Sequence, residues 1–307
     1  MSRTLKALVI GGIFIVLGLL TFLVGYYFNS YRLDNIFEYE VEEKDPLSLK
    51  SYDALYPDSI TMISIMTKRM PVTIESHDEG YIRLAYYENQ DQSFEITESN
   101  GKLYLKKIDL GFFEENVSSN LRSLLIKNKE DNGVTIYIPS SYMGELLIST
   151  TLRDISVVNP LAFSKIKKID FKNSYADINM NSVSGNILNL KNTGGRIDCS
   201  DIDFNDITVI STNADVRLDY LSSDKTEFLI NKSSVEATNI ISDEIRIESV
   251  SSQVRIGISA YSVQYSVEIE KSEKSEINLG QNIVDTLDKK IYIKAADSNI
   301  KVAFSLD

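Results

Sequence analysis

Four carboxylates could carry acid–base chemistry because they occupy one position of a repeated phrase. Asp154, Asp177, Asp215 and Glu276 each precede the second apolar pair of the phrase by one residue. If the repeats stack as parallel strands, these side chains share an exposed column, where paired carboxylates could cleave a polysaccharide. Arg196 holds the same position between Asp177 and Asp215. We therefore interpret the column as solvated charges of alternating sign and predict no catalytic residue in it.

The chain has one cysteine, Cys199, and one histidine, His77. A disulfide within the chain is excluded, and a Cys–His zinc site or nucleophile pair would need both residues. Cys199 lies in an apolar alternation and is predicted to be a core residue, whereas His77 lies in the polar turn "ESHDEGY". Motifs for a phosphate loop, a nucleophile elbow or a zinc protease are absent. We predict no enzyme, no metal site and no cofactor.

The 17 tyrosines offer a second kind of chemistry, since aromatic rings on one face can stack against sugars. The alternative is that tyrosine is frequent here because it favours β-strands. The candidates for a stacking platform are Tyr175, Tyr220, Tyr261, Tyr265 and Tyr292.

The charge balance argues against nucleic acid as a partner. Lys and Arg number 32 against 44 Asp and Glu, which gives a formal net charge of −12. A chain of this charge repels the phosphate backbone that supplies most non-specific affinity for nucleic acid.

One segment is predicted to anchor the chain in a membrane. Residues 7–28, "ALVIGGIFIVLGLLTFLVGYYF", contain no charge and would span about 33 Å as a helix, enough for the bilayer core. Arg3 and Lys6 precede it, so residues 1–6 are expected in the cytoplasm and the C-terminal domain outside the cell. Residues 29–58 are predicted to form a juxtamembrane stalk. The lack of disulfides favours a bacterial surface over a eukaryotic secretory route.

A repeat then predicts the fold. The first residues of the second apolar pairs are spaced by 23, 19, 19, 19, 19, 23 and 23 positions. These marker positions are Ile155, Ile178, Ile197, Val216, Val235, Val254, Ile277 and Ile300. Such a period indicates a stacked array. We predict an all-β fold, a parallel β-solenoid with coils of about 19–23 residues, preceded by one N-terminal transmembrane α-helix.

The array is predicted to have two parts outside the membrane. Residues 140–307 form the regular repeats, and residues 59–139 form an N-terminal β region with a first repeat and hairpins. Ile65 and Val72 have the repeat's spacing of seven and are interpreted as the first turn of the array. Asn100-Gly101, between alternating runs, predicts a hairpin.

The outward residues support parallel stacking in sequence order. Asp198, Arg217, Glu236 and Arg255 each follow a marker by one residue. Coils in register would bring them about 4.8 Å apart as a ladder of alternating charge.

The sequence also resembles a known family. Its early strands end in "VTIYIPSSYMGELLIS", and degenerate "I-x-S-x-S-x-D-I-x-V" units follow. These features, over roughly residues 59–307, resemble a bacterial family of β-strand-repeat proteins of Gram-positive cell envelopes, a domain of unknown function with proposed adhesins among its members. Members often carry a Gly-Asp-Ile corner, which here reads Ala176-Asp177-Ile178 and Gly195-Arg196-Ile197. The resemblance implies a repeat fold at the cell surface and no catalytic residues.

The expected function is that of a single-pass protein of the cell membrane whose extracellular solenoid binds or scaffolds other envelope components without catalysis. Besides the bilayer around residues 7–28, its expected partner is an envelope glycan or a membrane protein. The resemblance implies an alternative, a membrane partner in envelope-stress signalling. A less favoured alternative is an enzyme acting on envelope polysaccharide, which would need a cleft with convergent carboxylates.

Overall fold

The structure, a computed structural model, describes residues 47–88, 92–108, 133–158, 166–260, 262–280 and 289–305. The predicted tail and membrane helix, residues 1–28, lie outside them. Within the described part of the chain, no helix has the length and apolar character needed to cross a membrane. These residues belong to one compact unit, Leu47–Asp307.

The described residues fold almost entirely into β-strands, with single 3-10 turns at Pro57–Ser59 and Ser262–Gln264. The strands are β1 Ser48–Asp53, β2 Met62–Met66, β3 Val72–His77, β4 Arg83–Glu88, β5 Ser93–Ser99, β6 Lys102–Ile108, β7 Val134–Pro139, β8 Glu145–Thr151, β9 Ile155–Val158, β10 Lys168–Ser174, β11 Ile178–Thr193, β12 Arg196–Thr212, β13 Asp215–Asn231, β14 Ser234–Val250, β15 Gln253–Ile258, β16 Tyr265–Lys271, β17 Glu276–Leu279, β18 Lys289–Ala296 and β19 Asn299–Phe304. Strand β1 begins inside the segment predicted as a stalk.

The strands stack as parallel coils with equivalent residues side by side. Ile178 pairs with Ile197, Ile197 with Val216, Val216 with Val235 and Val235 with Val254. Each step is one 19-residue repeat, so the prediction of an all-β stack in register is confirmed for these coils. Because the residues at these positions point inward, the stack buries one continuous apolar core.

Each coil contributes to two sheet faces. Face A comprises β2, β6, β8, β10, β16, β18 and the C-terminal halves of β11 to β14. Face B comprises β3, β7, β9, β15, β17, β19 and the N-terminal halves of β11 to β14. The chain passes from face A to face B at the corner that the small residues before each marker predict.

A second corner per coil was not predicted. The first corner lies three residues before the marker; in the coil of Val216 it is Asn213, with φ of 51°. The backbone turns left-handed again four residues after the marker, at Tyr220, with φ of 53°. Ser182, Asp201 and Asn239 are the equivalents of Tyr220 in neighbouring coils and share its positive φ. Each 19-residue coil therefore has three short straight segments instead of two strands and a connector.

The outward charge ladder is in register but does not form close pairs. Asp198 lies beside Arg217, and Arg217 beside Glu236. In the described part of the regular coils, the closer ion pairs lie on face A instead. Arg246 contacts Glu227 at 3.4 Å and also pairs with Glu248. Within the regular coils, face A therefore carries closer ion pairs than the face B ladder, which the sequence did not indicate.

The order of coils departs from the sequence at the C-terminal end. Val254 pairs with Ile300, and Ile300 in turn pairs with Ile277. The last coil, β18 and β19, is thus inserted between β14–β15 and the outermost coil, β16 and β17. The expectation that coils follow one another in sequence order is wrong here, and Ile277 is only partly buried because it lies at the end of the stack.

The N-terminal end shows the same kind of insertion. Strand β2 lies between β6 and β8, and β3 lies between β7 and β9, so the coil of Ile65 and Val72 is not the first turn. The predicted hairpin is confirmed, since β5 pairs antiparallel with β6 and both Asn100 and Gly101 have positive φ. Strands β5, β4 and β1 close this end of the stack.

Candidate functional site

Two of the candidate catalytic carboxylates accept hydrogen bonds from backbone N–H groups of the next coil. The Asp177 N–H donates to Asp154 Oδ1 at 2.9 Å, and the Arg196 N–H donates to Asp177 Oδ1 at 2.8 Å. Arg196 lies beside Asp215. Glu276 is four coils from Asp215, about 19 Å at the usual strand spacing. The carboxylates therefore do not converge on one point, and two of them bridge successive corners.

The four candidate tyrosines that the structure describes do not form a row on one face. Tyr175 and Tyr220 are exposed at different corners of their coils. Tyr265 is fully buried and donates its hydroxyl to the Ser242 carbonyl at 2.6 Å. Tyr292 lies on face A, where the Arg246 guanidinium is 5.0 Å from its ring centroid. Tyr261 lies outside the described residues.

Cys199 is a core residue, as predicted. Its side chain is buried within the stack, and burial raises the pKa of its thiol, with Asp198 adding to the shift. A thiol of this kind is protonated at neutral pH and is a poor nucleophile. Within the described residues there is no group of three or more His, Cys, Asp or Glu side chains that could hold a metal ion.

An aromatic group that the sequence analysis did not single out lies at the N-terminal end of face B. We call it the N-terminal aromatic cluster, and it comprises His77, Tyr81, Tyr87, Tyr137 and Arg83. The His77 and Tyr81 rings stack with centroids 4.3 Å apart, and the Arg83 guanidinium lies 4.7 Å from the Tyr81 centroid. All five side chains are only partly buried. A ligand could therefore reach them.

Strand register brings these residues together. Arg83 of β4 lies opposite Tyr137 of β7, and Tyr137 lies beside Glu75 of β3. These residues alternate with the buried Leu84, Ile136 and Ile74, so they must point outward from face B. Four of the five cluster residues therefore lie on three hydrogen-bonded strands, and Tyr81 lies in the turn before β4.

A bidentate ion pair fixes the cation of the cluster. Arg83 Nε and Nη2 contact the two carboxylate oxygens of Asp53 at 2.5 and 3.0 Å. The hydrogen bond from Arg83 lowers the pKa of Asp53, so the pair stays charged at neutral pH. Because Asp53 already holds one side of the guanidinium, Arg83 keeps its position over Tyr81 before any ligand arrives.

His77 adds an unused hydrogen-bonding group. Its Nδ1 accepts from the Glu79 N–H at 3.1 Å, so the neutral ring carries its proton on Nε2. Nε2 is buried and has no hydrogen-bond partner. Burial and the nearby Glu75 raise the pKa of Tyr137, so its hydroxyl stays protonated. The cluster thus offers ring faces together with phenol hydroxyls and one guanidinium cation.

A groove adjoins the cluster through the turn that contains Gly80. Its volume is about 680 Å³, and its walls come from the loops before β2 and β8. Lys102 and Asp58 line it, and Lys167 pairs with Glu145 there at 2.7 Å. Charges of both signs therefore face the groove, together with apolar side chains such as Ile60 and Met62.

The sequence held a partial signal for this cluster. The stretch "YIRLAYYE" has Tyr81, Tyr86 and Tyr87 within seven residues, a local density of aromatic side chains. Its contact with Tyr137 could not be inferred, because that residue is about 50 positions away and its strand pairs antiparallel with β4. Sequence periodicity along the regular coils gives no information on such a pairing.

Comparison with family models now identifies the fold. A model described as Toastrack DUF4097 matches residues 60–305. The chain belongs to the Toastrack DUF4097 family. The Toastrack match spans the N-terminal strands as well as the regular coils, and it confirms the family that the strand repeats resemble.

Solved structures resemble this Toastrack chain at low identity. A proposed adhesin from Bacteroides fragilis is 14% identical with a TM-score of 0.45, over 83% of this chain and 97% of its own. A proposed lipid-binding protein from Parabacteroides distasonis is 14% identical with a TM-score of 0.48, over 82% and 96%. A proposed cell adhesion protein from Clostridium sporogenes is 11% identical with a TM-score of 0.26, over 85% and 100%. No curated protein matches the chain.

Proposed function

We propose that this Toastrack protein is a membrane-anchored extracellular module that binds or scaffolds the cell envelope without catalysis, and that its N-terminal aromatic cluster contacts an envelope glycan. The observation that supports this most is the stacked pair of His77, at the end of β3, and Tyr81, in the turn before β4, beside Arg83. The apolar C–H faces of a sugar ring stack on aromatic rings, while its hydroxyls need donors and acceptors at the edge.

The rigidity of the cluster favours binding of such a ligand. A glycan loses conformational freedom when it binds, and a site that is already ordered does not add its own ordering cost. Arg83 is fixed by Asp53, and Tyr137 is fixed by its strand neighbours. The hydroxyls of Tyr81 and Tyr137, which are only partly buried, can then bond sugar oxygens without a rearrangement of the sheet.

The anchor is part of the proposal. Residues 7–28 would hold the protein in the cell membrane, with Arg3 and Lys6 on the cytoplasmic side and residues 29–307 outside. The location can be tested with Ser2→Cys and Ser305→Cys variants and a membrane-impermeant maleimide. Labelling of position 305 in intact cells, and of position 2 only after lysis, is expected. The reverse pattern would refute this orientation.

Binding to purified cell walls tests the glycan contact. The full chain in detergent is sedimented with wall material that retains its attached polymers, and soluble fragments of that material serve as competitors. The double variant Tyr81→Ala with Tyr137→Ala should bind at least about 10-fold more weakly, since each lost stacking contact is worth roughly 1 kcal/mol. The matched control is Tyr175→Ala with Tyr220→Ala, which removes two exposed tyrosines from the corners. Equal affinities of the two double variants would refute the assignment of the cluster.

A further inference from the structure

The two ends of the stack are closed in different ways. At the N-terminal end, β5 pairs antiparallel with β6, and Phe94 packs edge-on against Tyr86 with centroids 5.2 Å apart. At the C-terminal end, the outermost strands β16 and β17 run parallel to the rest. Within the described residues, each of these two strands is paired on one side only. No strand in the described part of the chain therefore pairs with the outward backbone groups of β16 and β17.

Apolar side chains at this end are less buried than their equivalents inside the stack. Ile269 is 41% exposed, whereas Ile293 and Ile247, at the same position of the next two coils, are fully buried. Ile277 and Leu279 of β17 pack against the core but are only partly covered. A solenoid end with uncovered core positions normally needs a cap.

The same edge is acidic on its outward side. Six of the nine residues from 268 to 276 are charged, and four of those six are glutamate. Glu268 and Glu270 alternate along β16 with Val267 and Ile269. Glu270 contacts Lys294 of the neighbouring strand at 3.2 Å, while Glu268 is exposed. A strand added here would meet apolar residues toward the core and carboxylates toward solvent.

We propose that the coil formed by β16 and β17 is a docking edge for an extended segment of a partner protein that carries Lys or Arg at alternate positions. Addition of a strand to an exposed sheet edge supplies main-chain hydrogen bonds for affinity and alternate side-chain contacts for specificity. The basic residues of the segment would face Glu268 and Glu270, and its apolar residues would cover Val267 and Ile269.

A second copy of this chain fits the edge less well. Two-fold pairing of β16 with itself is antiparallel and places Glu268, the central residue of the strand, opposite Glu268 of the other copy. Like charges directly opposite each other destabilise a strand pair. Charge therefore favours a different, basic partner segment over self-association, and the docking edge lies at the other end of the stack from the N-terminal aromatic cluster.

A model peptide tests this edge. The probe is an eight-residue peptide of alternating Val and Lys with blocked ends, and the control peptide has the same composition with four Val followed by four Lys. Binding to the full chain is measured by calorimetry, and hydrogen exchange locates the contact. The alternating peptide should bind at least 10-fold more tightly than the block peptide and should slow exchange of the β16 amides.

Variants distinguish edge docking from general attraction to an acidic protein. Glu268→Lys should weaken binding of the alternating peptide at least 10-fold. The control is Glu236→Lys, at an exposed glutamate of an interior coil, which should leave the affinity for this peptide within about twofold. Unchanged thermal unfolding of both variants shows that the fold is intact. Equal affinity for the two peptides, protection away from β16, or sedimentation showing a dimer that buries β16 would overturn the proposal.

Discussion

At the scale of single residues, a line of buried serines holds one corner of the stack. The N–H of Ser233 donates to Ser252 Oγ at 3.1 Å, and the N–H of Ser252 donates to Ser298 Oγ at 3.2 Å. Each hydroxyl also donates to the carbonyl two residues before it; Ser233 Oγ, for example, reaches the Asn231 oxygen at 2.9 Å. The small residues that predicted a tight corner thus have a second purpose, because their hydroxyls accept hydrogen bonds from the backbone N–H groups of Ala214, Ser233 and Ser252.

Ser233→Ala should destabilise the protein by about 1–3 kcal/mol, because it leaves the buried N–H of Ala214 without the Ser233 Oγ acceptor 3.1 Å away. Urea unfolding followed by circular dichroism measures the difference. Ser234→Ala is the control, since Ser234 is the next residue and is exposed. If both variants unfold at the same urea concentration, the serine line does not stabilise the corner.

A glycine makes room for a large side chain in the next coil. A Cβ at Gly185 would overlap Ile166 Cγ2 and lie 2.7 Å from both the Ile166 backbone oxygen and Cε1 of the buried Phe204. Gly185→Ala should therefore lower the free energy of unfolding by about 1–3 kcal/mol through overpacking. At Gly257 the nearest atom to such a Cβ is 3.5 Å away, so Gly257→Ala should change stability far less. Differential scanning calorimetry of the two variants checks this, and an equal loss in both would contradict it.

At the scale of elements, the sequence predicted the first corner and the inward columns because the same residue types recur there. The second corner escaped notice because its left-handed position is filled by Ser182, Asp201, Tyr220 and Asn239, which share no side-chain type. The ion pairs of face A were missed for a related reason. Arg246 contacts Glu227 of the neighbouring coil and Glu248, which is two residues further along its own strand. A search along one repeat column does not show both contacts.

The charge ladder of face B gives a prediction for its strands. Arg217→Glu places a carboxylate between Asp198 and Glu236 and should lower the melting temperature at low salt. Because the site is exposed, the loss in free energy of unfolding should be about 1 kcal/mol or less. High salt should reduce the loss. Lys232→Glu is the control, since it makes the same charge change at a corner between the uncharged Asn213 and Ser251. Equal losses in the two variants would show that the ladder does not contribute.

At the scale of the whole molecule, the order of the coils could not be read from the repeat. Ile277 and Ile300 are the same residue type at the same repeat position, so periodicity assigns them only by their place in the chain. The clue lay in composition. Residues 268–276 are mostly charged, as expected of an exposed edge, whereas the β18 and β19 segment is rich in apolar and small residues, as expected inside the stack. The N-terminal aromatic cluster escaped prediction likewise, since it depends on the non-sequential end of the stack.

Engineered disulfides test the order of the coils directly. Arg255 lies beside Lys301, and Lys301 lies beside Asn278, with all three exposed on face B. Arg255→Cys with Lys301→Cys puts two thiols on neighbouring strands about 4.8 Å apart, within reach of a disulfide. Arg255→Cys with Asn278→Cys puts them two strands apart, about 10 Å, which is too far. Because the native Cys199 is buried, it should not form a disulfide with either engineered cysteine.

Mild oxidation followed by non-reducing mass spectrometry should therefore show a crosslink within one chain for the 255/301 pair and free thiols for the 255/278 pair. A stack in sequence order would give the opposite result, because residue 278 would then adjoin residue 255 and separate it from residue 301. The two double variants differ in only one position of the pair, so a difference in crosslinking reports on coil order and not on exposure of the thiols. A crosslink in the 255/278 variant alone would refute the inserted coil.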